Sequence, residues 1–366
     1  MKINFDHQIF SSQRYGGISR YFYEIIRRVD GLNDTSVDLP IIFSDNYYIS
    51  DRKYTNQINF FKDNDFKGKN RFINLTNMVY SKFKLESGDY DVFHPTYYDP
   101  YFLKKIGNAP FVLTVHDMIH EKFPSLFNEN DNTSLNKRLL VEKASRVIAV
   151  SENTKKDLIG IFGTDESKIE VIYHGNSMQQ SSRVKINLSL PDDYILFVGA
   201  RYEYKNFIRF ISSMSSILNL NKNLNVVCAG GGCFTNKEQE VFANLNIKSQ
   251  VYQCSLNDES LAGIYQNAII FVFPSLYEGF GIPILEAFSS KCPVACSNIS
   301  SLPEIAKDGA CYFDPYDEES IKNSVKQLLK DESLRKRLVS KGTDRLDFFS
   351  WEKAAKLTGK VYKDLM

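Results

Sequence analysis

Two glutamates, Glu278 and Glu286, stand eight residues apart in the stretch EGFGIPILE. An apolar run, IIFVFPS, precedes it and reads as a buried strand, and a helix-like run follows. Gly279 and Gly281 let the backbone approach a ligand with no Cβ in the way. Pro283 suits the first turn of a helix, where its missing N–H costs nothing. The free amides and positive dipole end of such a helix make a phosphate the expected occupant. Glu286 lies about two turns along and can accept hydrogen bonds from the vicinal hydroxyls of a ribose. Glu278, in the loop, faces what lies beyond the phosphates, where a sugar ring offers hydroxyls in the same way. The spacing therefore predicts a nucleotide-sugar site.

A second stretch, FVGARYEYKNF, agrees. A strand over 194–199 ends in Gly199, and Arg201 and Lys205 come just before the helix-like run FIRFISSMSSIL. Cations at a helix N-terminus are electrostatically misplaced unless an anion sits between them and the dipole. Diphosphate fits: a guanidinium binds it in bidentate fashion, and the ammonium acts as a point charge.

The elements that must position these residues alternate strand with helix. In the first half, KINFDH precedes a Gly-Gly turn and the helix-like ISRYFYEIIRRV. FVLTVHD, NKRLLVEKAS, RVIAVSENTKKDLIGIF and KIEVIYHG follow. After a polar, Ser-rich linker at 177–191, the same grammar restarts with YILFVG and LNVVCAGGG. Such alternation means parallel sheets with helices on both faces, and two doubly wound halves with a ligand cleft between them at the carboxyl ends of the strands. The expected boundaries are 1–176 and 192–350.

Composition narrows the function further. Among 366 residues, 45 Lys and Arg nearly cancel 44 Asp and Glu, leaving a net charge of +1, which argues against a nucleic-acid partner bound by bulk electrostatics. All six cysteines fall between Cys228 and Cys311, with neither zinc-ligand spacing nor following histidines, so they are expected to be reduced and mostly buried in a cytoplasmic protein. No signal peptide is read at MKINFDHQIF, and no run approaches the ~20 apolar residues of a membrane span. Residues 47–84 break the pattern: eight basic against three acidic residues give net +5, interleaved with Tyr and Phe. This insertion suits a membrane interface or an anionic acceptor, and equally a surface loop with a few buried aromatics. The acidic triplets DND (63–65) and DYD (89–91) do not follow apolar strands as a metal-binding DxD would, and no essential metal or cofactor is expected.

FPSLYEGFGIPILEAFSSKCPVACSNISSLPEIAKDGACYFDP resembles, almost position by position, the donor-site signature of the retaining glycosyltransferases of family 4. The resemblance is densest from Tyr194 to Pro315. It implies an α/β chain of GT-B fold, two Rossmann-like domains facing across a cleft. It implies that Glu278 contacts the donor sugar, Glu286 the ribose, the Gly279-Phe280-Gly281 backbone phosphate, and Arg201 and Lys205 the diphosphate. One departure is Ala200, where many members carry the arginine. YGGISRY resembles the family's glycine loop, which implies that the amides of Gly16 and Gly17 face donor phosphate and acceptor. LTVHD places His116 and Asp117 where the family lines the donor-sugar site; His94 is a weaker match, and His7, His120 and His174 read as structural. The family's C-terminal crossover helix resembles 351–366, anchored by Trp351, which would return to the first domain.

The implied reaction is metal-independent transfer of a hexose, with retention, from a nucleotide sugar to a saccharide or lipid-linked acceptor. FDHQIFSSQRYGGISRYFYEI resembles bacterial enzymes of lipopolysaccharide O-antigen and capsule synthesis, many of them mannosyltransferases. GDP-mannose therefore leads as donor and a UDP-sugar follows, and the expected place is the cytoplasm, peripherally at the inner membrane face if the acceptor is lipid-linked. Two other readings stand beside it: another GT-B enzyme, such as a nucleotide-sugar epimerase or a sugar-phosphate synthase, and a catalytically silent nucleotide-sugar-binding protein.

Overall fold

The computed structural model describes residues 1–50, 66–178, 189–255 and 258–366. The DND triplet, the centre of the basic insertion and most of the linker lie outside the described residues. The chain divides into two compact units, Met1–Gly175 with Ser350–Met366, and Asn176–Phe349.

The first unit opens with β1 (Lys2–Phe5), α1 (Gln8–Ser12), α2 (Gly17–Val29), β2 (Ser36–Asp38), α3 (Lys69–Glu86) and β3 (Val92–His94). It continues with β4 (Val112–Val115), α4 (Ile119–Lys122), α5 (Thr133–Lys143), β5 (Arg146–Ala149), α6 (Glu152–Phe162) and β6 (Ile169–Val171). All strand pairings are parallel, in the orders β2-β1-β3 and β4-β5-β6, and one parallel bridge, Phe93 to Phe111, joins the two sets. Ser151 caps α6 by accepting the Thr154 N–H at 3.0 Å, as the sequence around it predicts.

The second unit contains β7 (Tyr194–Val198), α7 (Phe207–Leu220), β8 (Asn225–Ala229), α8 (Asn236–Asn244), β9 (Val251–Cys254) and α9 (Asp258–Asn267). After them come β10 (Ile270–Phe273), α10 (Ile282–Ser289), β11 (Val294–Ser297), α11 (Leu302–Ala306), β12 (Ala310–Phe313), α12 (Glu318–Lys330) and α13 (Glu332–Arg345). Its six-stranded parallel sheet has the order β12-β11-β10-β7-β8-β9. The strands β7, β8, β10 and β11 are buried along their whole length, which explains their unbroken apolar runs. Strand addition runs outward from β7 in one direction and from β10 in the other, so a crevice opens at the carboxyl ends of these two neighbours.

Helix α14 (Trp351–Lys363) belongs to the first unit, where Trp351, Ala354, Ala355, Val361 and Tyr362 share one core with β1 and α2. It also completes a buried polar chain. The Tyr362 hydroxyl lies 2.6 Å from His94 Nδ1, His94 Nε2 lies 3.0 Å from Thr114 Oγ1, and Thr114 Oγ1 lies 3.2 Å from the Tyr21 hydroxyl. His94 therefore reads as a structural residue, spent on holding α14 and α2 to the sheet. Tyr362→Phe would leave His94 Nδ1 buried without its partner. We expect a loss of about 1–3 kcal/mol in urea unfolding, with fold and secondary-structure content unchanged.

Candidate functional site

Lys205 and Glu278 come from the two loops that flank the β7/β10 crevice. Their side chains meet: Lys205 Nζ donates to Glu278 Oε1 at 2.6 Å, both side chains largely buried. Local backbone puts Lys205 there. Asn206 adopts a left-handed conformation (φ 59°), which an asparagine tolerates better than most residues, and ends the short turn that carries Lys205. The Asn206 amide is fixed by donating to the Pro315 carbonyl at 2.7 Å. The Leu276 N–H donates to the Tyr204 carbonyl at 2.7 Å and ties the two loops together. The Lys205 ammonium also sits over the rings of Tyr204 and Phe273, at 5.3 and 5.6 Å from their centroids.

The Glu278 loop is stitched by two serines that the sequence reading passed over. Ser300 Oγ accepts from the Glu278 N–H at 3.1 Å and donates to the Glu278 carbonyl at 2.6 Å. Ser301 Oγ lies 2.8 and 2.7 Å from the carbonyls of Glu278 and Phe280, its one proton shared between them. Ser300 holds φ 60°, a strained state for a non-glycine residue that its two bonds to Glu278 sustain. A serine pair about twenty residues downstream of the glycine turn is legible in the string, but nothing in its spacing says that it folds back. Ser275, in the same loop after β10, is buried, and its hydroxyl has no partner among the described residues.

Gly281 precedes α10 with φ 114°, a conformation open to glycine, and Pro283 occupies the first turn as its position predicts. Phe280 is buried and packs edge-on against Phe349 at 5.7 Å. Glu286 lies on α10, nearly buried, and accepts from the Tyr265 hydroxyl of α9 at 3.3 Å. Gly279 follows Glu278 directly in the turn.

Arg201, which the sequence reading assigns to a diphosphate, has its guanidinium bonded to the protein. Its Nε donates to Glu238 Oε1 at 2.6 Å, Nη1 to the Gly230 carbonyl at 3.1 Å, and Nη2 to the carbonyls of Gly232 and Cys233 at 3.1 and 2.9 Å. The fork also stacks over Phe234 at 4.8 Å. Glu238, which accepts from the Thr235 N–H at the start of α8, is pushed up by burial, but the Arg201 and Thr235 hydrogen bonds outweigh that and hold it low. Three glycines in a row, 230–232, take positive φ (89°, 73° and 73°), and the turn brings the carbonyls of Gly230, Gly232 and Cys233 to the arginine. Arg201 thus clamps the loop after β8.

In the first unit, Gly16 is the extended residue before α2 and Gly17 is its first residue, so the predicted glycine turn does open a helix. His116 follows β4, is 8% exposed, and has no hydrogen-bond partner on either ring nitrogen among the described residues. Its ring packs edge-on against Tyr21 at 4.9 Å. Burial, then the neighbouring His94 and Lys137, lower its pKa to about 3. Asp117 accepts from the Ile119 N–H at 3.0 Å, and the buried Lys137 of α5 donates to its carbonyl and to Glu121, each at 2.9 Å. Lys137 is a brace that no motif announced. His7 bonds Ser81 at 3.0 Å, His120 stacks on Phe127, and His174 packs among Tyr21, His116 and Trp351.

Among the six cysteines, all free, Cys228, Cys254, Cys292 and Cys296 are buried as expected, while Cys233 is exposed beside the Arg201 clamp. In the DYD triplet, Asp89 pairs with Lys2 and Asp91 accepts the Lys2 N–H at 2.7 Å, so both serve the edge of β1. No three His, Cys, Asp or Glu side chains converge as a metal-ligating group among the described residues.

Two parallel α/β units, the second with Lys205 and Glu278 in contact at its sheet's switch point, are the parts of a GT-B fold. The family model described as Glycosyltransferase Family 4 matches residues 15–179, and that described as Glycosyl transferases group 1 matches 178–345. An uncharacterized glycosyltransferase of Methanocaldococcus jannaschii is 30% identical over 298 residues, covering 76% of each chain. The O-antigen chain mannosyltransferase B of Escherichia coli is 29% identical over 290 residues, covering 75% of this chain and 74% of its own. Among solved structures, a sucrose-phosphate synthase from Thermosynechococcus elongatus superposes with TM-score 0.77 at 18% identity, over 100% and 98% of the two chains. The Anabaena protein HepE, in complex with UDP-glucose, gives 0.75 at 16% over the whole of both. At such identities these two likenesses establish the fold alone. The chain belongs to the GT-B glycosyltransferases of family 4, with a group 1 glycosyltransferase domain as its second unit.

Two measurements follow from this geometry. Arg201→Ala strands Glu238 and three carbonyls, and should cost about 3–5 kcal/mol of stability in denaturant unfolding, as loss of one member of a buried pair does. If Arg201 were a free ligand cation, the melting temperature would stay unchanged. The second concerns acid. Burial depresses His94 and His116 from 6.5 to about 3, and His174 well below 6.5. On unfolding, each regains a pKa near 6.5 and takes up a proton below it. Their contribution to stability is therefore whole above about pH 6.5 and falls as pH drops towards 3, by roughly 1.4 kcal/mol per pH unit for each histidine. Melting followed from pH 8 to 5 should be flat and then fall. His94→Gln should reduce the acid slope.

Proposed function

We propose that this glycosyltransferase moves a hexose, mannose foremost, from a nucleotide sugar to a hydroxyl of a saccharide or lipid-linked acceptor, with the anomeric configuration retained. The observation that carries the reading is the Lys205–Glu278 contact at the β7/β10 crevice, with Gly281 and the start of α10 in the same loop. A donor diphosphate would compete with Glu278 for the Lys205 ammonium, with the first-turn amides of α10 as further donors. Glu278, released from the lysine, would accept from hydroxyls of the donor sugar, and Glu286 from the ribose. The backbone of Gly279, Phe280 and Gly281 would lie against phosphate. In the first unit, the amides of Gly16 and Gly17 are assigned to phosphate and acceptor. His116, with neither ring nitrogen bonded among the described residues, is assigned with Asp117 to sugar hydroxyls.

In the step itself, the bond from the anomeric carbon to the diphosphate oxygen breaks and a bond to the acceptor oxygen forms on the same face. The acceptor proton passes to an oxygen of the leaving phosphate. Charge grows on that phosphate as the sugar takes on oxocarbenium character, and in this reading Lys205 with the α10 amides would offset it without a metal. Mannose is favoured by similarity to the E. coli O-antigen mannosyltransferase; GDP-mannose is thus the first donor to try. A UDP-sugar is second, in view of the UDP-glucose bound by HepE. A lipid-linked acceptor would place the reaction in the cytoplasm, at the inner membrane face.

The test is thermal stabilisation by GDP, UDP and their sugar conjugates, followed by turnover with chelator present. A nucleotide at 100 times its dissociation constant should add about 2.7 kcal/mol. Lys205→Ala should weaken that shift and lower kcat by about 10²–10³, and Glu286→Ala should weaken the shift. An inverted product anomer would remove the retaining mechanism; dependence on added metal would remove the metal-free step. Acceptance of sugar phosphates alone would favour a synthase.

A further inference from the structure

Helix α10 carries Glu286 and follows the turn at Gly279 to Gly281, yet it is only eight residues long. A helix so short does not fix its own place, so its neighbours decide where the carboxylate and the turn lie. It is held at its back and at both ends. At the back, the Phe288 ring lies against Gly309 and against Gly342 of α13. A Cβ on Gly309 would come within 2.8 Å of that ring, and one on Gly342 within 2.4 Å, so the slot has no room for a side chain at either glycine.

The contacts at the ends come from the residues where the chain enters and leaves the second unit. Asn176 is the first residue of that unit and Phe349 the last, and the Asn176 N–H donates to the Phe349 carbonyl at 3.0 Å. From this junction each residue reaches one end of α10. Asn176 Nδ2 donates to the hydroxyl of Ser289, the last residue of the helix, at 2.7 Å. The same amide donates to the Met178 carbonyl at 2.8 Å and accepts the Met178 N–H at 3.1 Å, which fixes the way it points. At the other end, the Phe349 ring packs edge-on against Phe280, in the middle of the glycine turn, at 5.7 Å. Arg345 holds Phe349 in turn: its guanidinium lies over that ring at 5.0 Å and donates to the carbonyls of Glu304 and Ile305, each at 3.2 Å. Ser289 stands three residues beyond Glu286, a neighbour on the same face of the helix. A change at Asn176 is therefore felt at the carboxylate, and a change at Phe349 at the turn.

We infer that Asn176 and Phe349 are positioning residues for α10, Asn176 setting Glu286 for the ribose and Phe349 setting the Gly279 to Gly281 turn for phosphate. Neither touches the substrate. The inference rests on the nucleotide-sugar reading of the site, and it adds that the junction between the two chain crossings of the second unit tunes the two halves of that site separately.

The test is equilibrium binding of GDP or UDP, whichever the wild type takes up, by the whole chain, beside the deoxy form that lacks a ribose hydroxyl and beside the monophosphate. The wild type should prefer the ribose form to the deoxy form and the diphosphate to the monophosphate. Asn176→Ala should lower the ribose preference by about tenfold and keep the diphosphate preference. Phe349→Leu, which keeps an apolar side chain, should do the reverse. Ser289→Ala should match Asn176→Ala, and the double variant should be no worse than either, because both remove one hydrogen bond. Variants that melt earlier with both preferences as in the wild type would make the two residues structural and overturn the inference. Additive losses in the double variant would overturn it as well. A wild type that binds no nucleotide removes the nucleotide-sugar reading and the inference with it, whereas unchanged preferences on top of wild-type binding remove the inference alone.

Discussion

A parallel sheet that grows outward from β7 on one side and from β10 on the other leaves its two middle loops diverging, and the chemistry of the second unit depends on that gap. Lys205 and Glu278 are 73 residues apart in the chain and 2.6 Å apart in the fold. The strands beneath them are buried along their length, so the loops have fixed anchors, and the Leu276 to Tyr204 hydrogen bond spans the gap between them. The contact and the bond between the loops fix the two side chains over the carboxyl ends of β7 and β10.

The division of labour between two nearby cations shows how the fold decides what a residue is for. Arg201 and Lys205 sit four residues apart in one loop. The arginine's planar fork matches four acceptors on the β8 side, three of them carbonyls in and just after a run of positive-φ glycines. The lysine, a compact charge on a flexible stem, is the one turned to the β10 loop. A clamp of four acceptors and a single carboxylate contact ask for different geometry, and guanidinium and ammonium are not interchangeable in meeting it.

In the first unit, the same economy governs the histidines. His94, with both nitrogens bonded, belongs to the chain that fixes α14 against α2, whereas His116, one strand along, has none bonded among the described residues. Burial lowers the pKa of both, yet one is satisfied and the other, among the described residues, is not, a cost to stability that the first avoids.

The alternation of strand and helix, the Gly-Pro opening of α10, the glycine turn before α2 and the two glutamates were all legible in the sequence. Each rests on local chemistry: burial on both faces of a parallel strand, a φ that glycine alone takes readily, a proline that needs no donor. Trp351 as an anchor for α14 was legible too. What only the tertiary structure decided were the partners at long range. The sequence could not say that Arg201 would face three carbonyls of the loop after β8, or that Ser300 and Ser301 would fold back on the Glu278 loop. Nor could it say that Lys137 would brace the turn after His116. Helix α3 went furthest from its pattern, burying asparagine and serine and exposing phenylalanine, because periodicity tells which residues share a face and not which face turns inward. That choice belongs to whatever the rest of the chain offers as hydrogen-bonding partners, and it is made only when the segments meet.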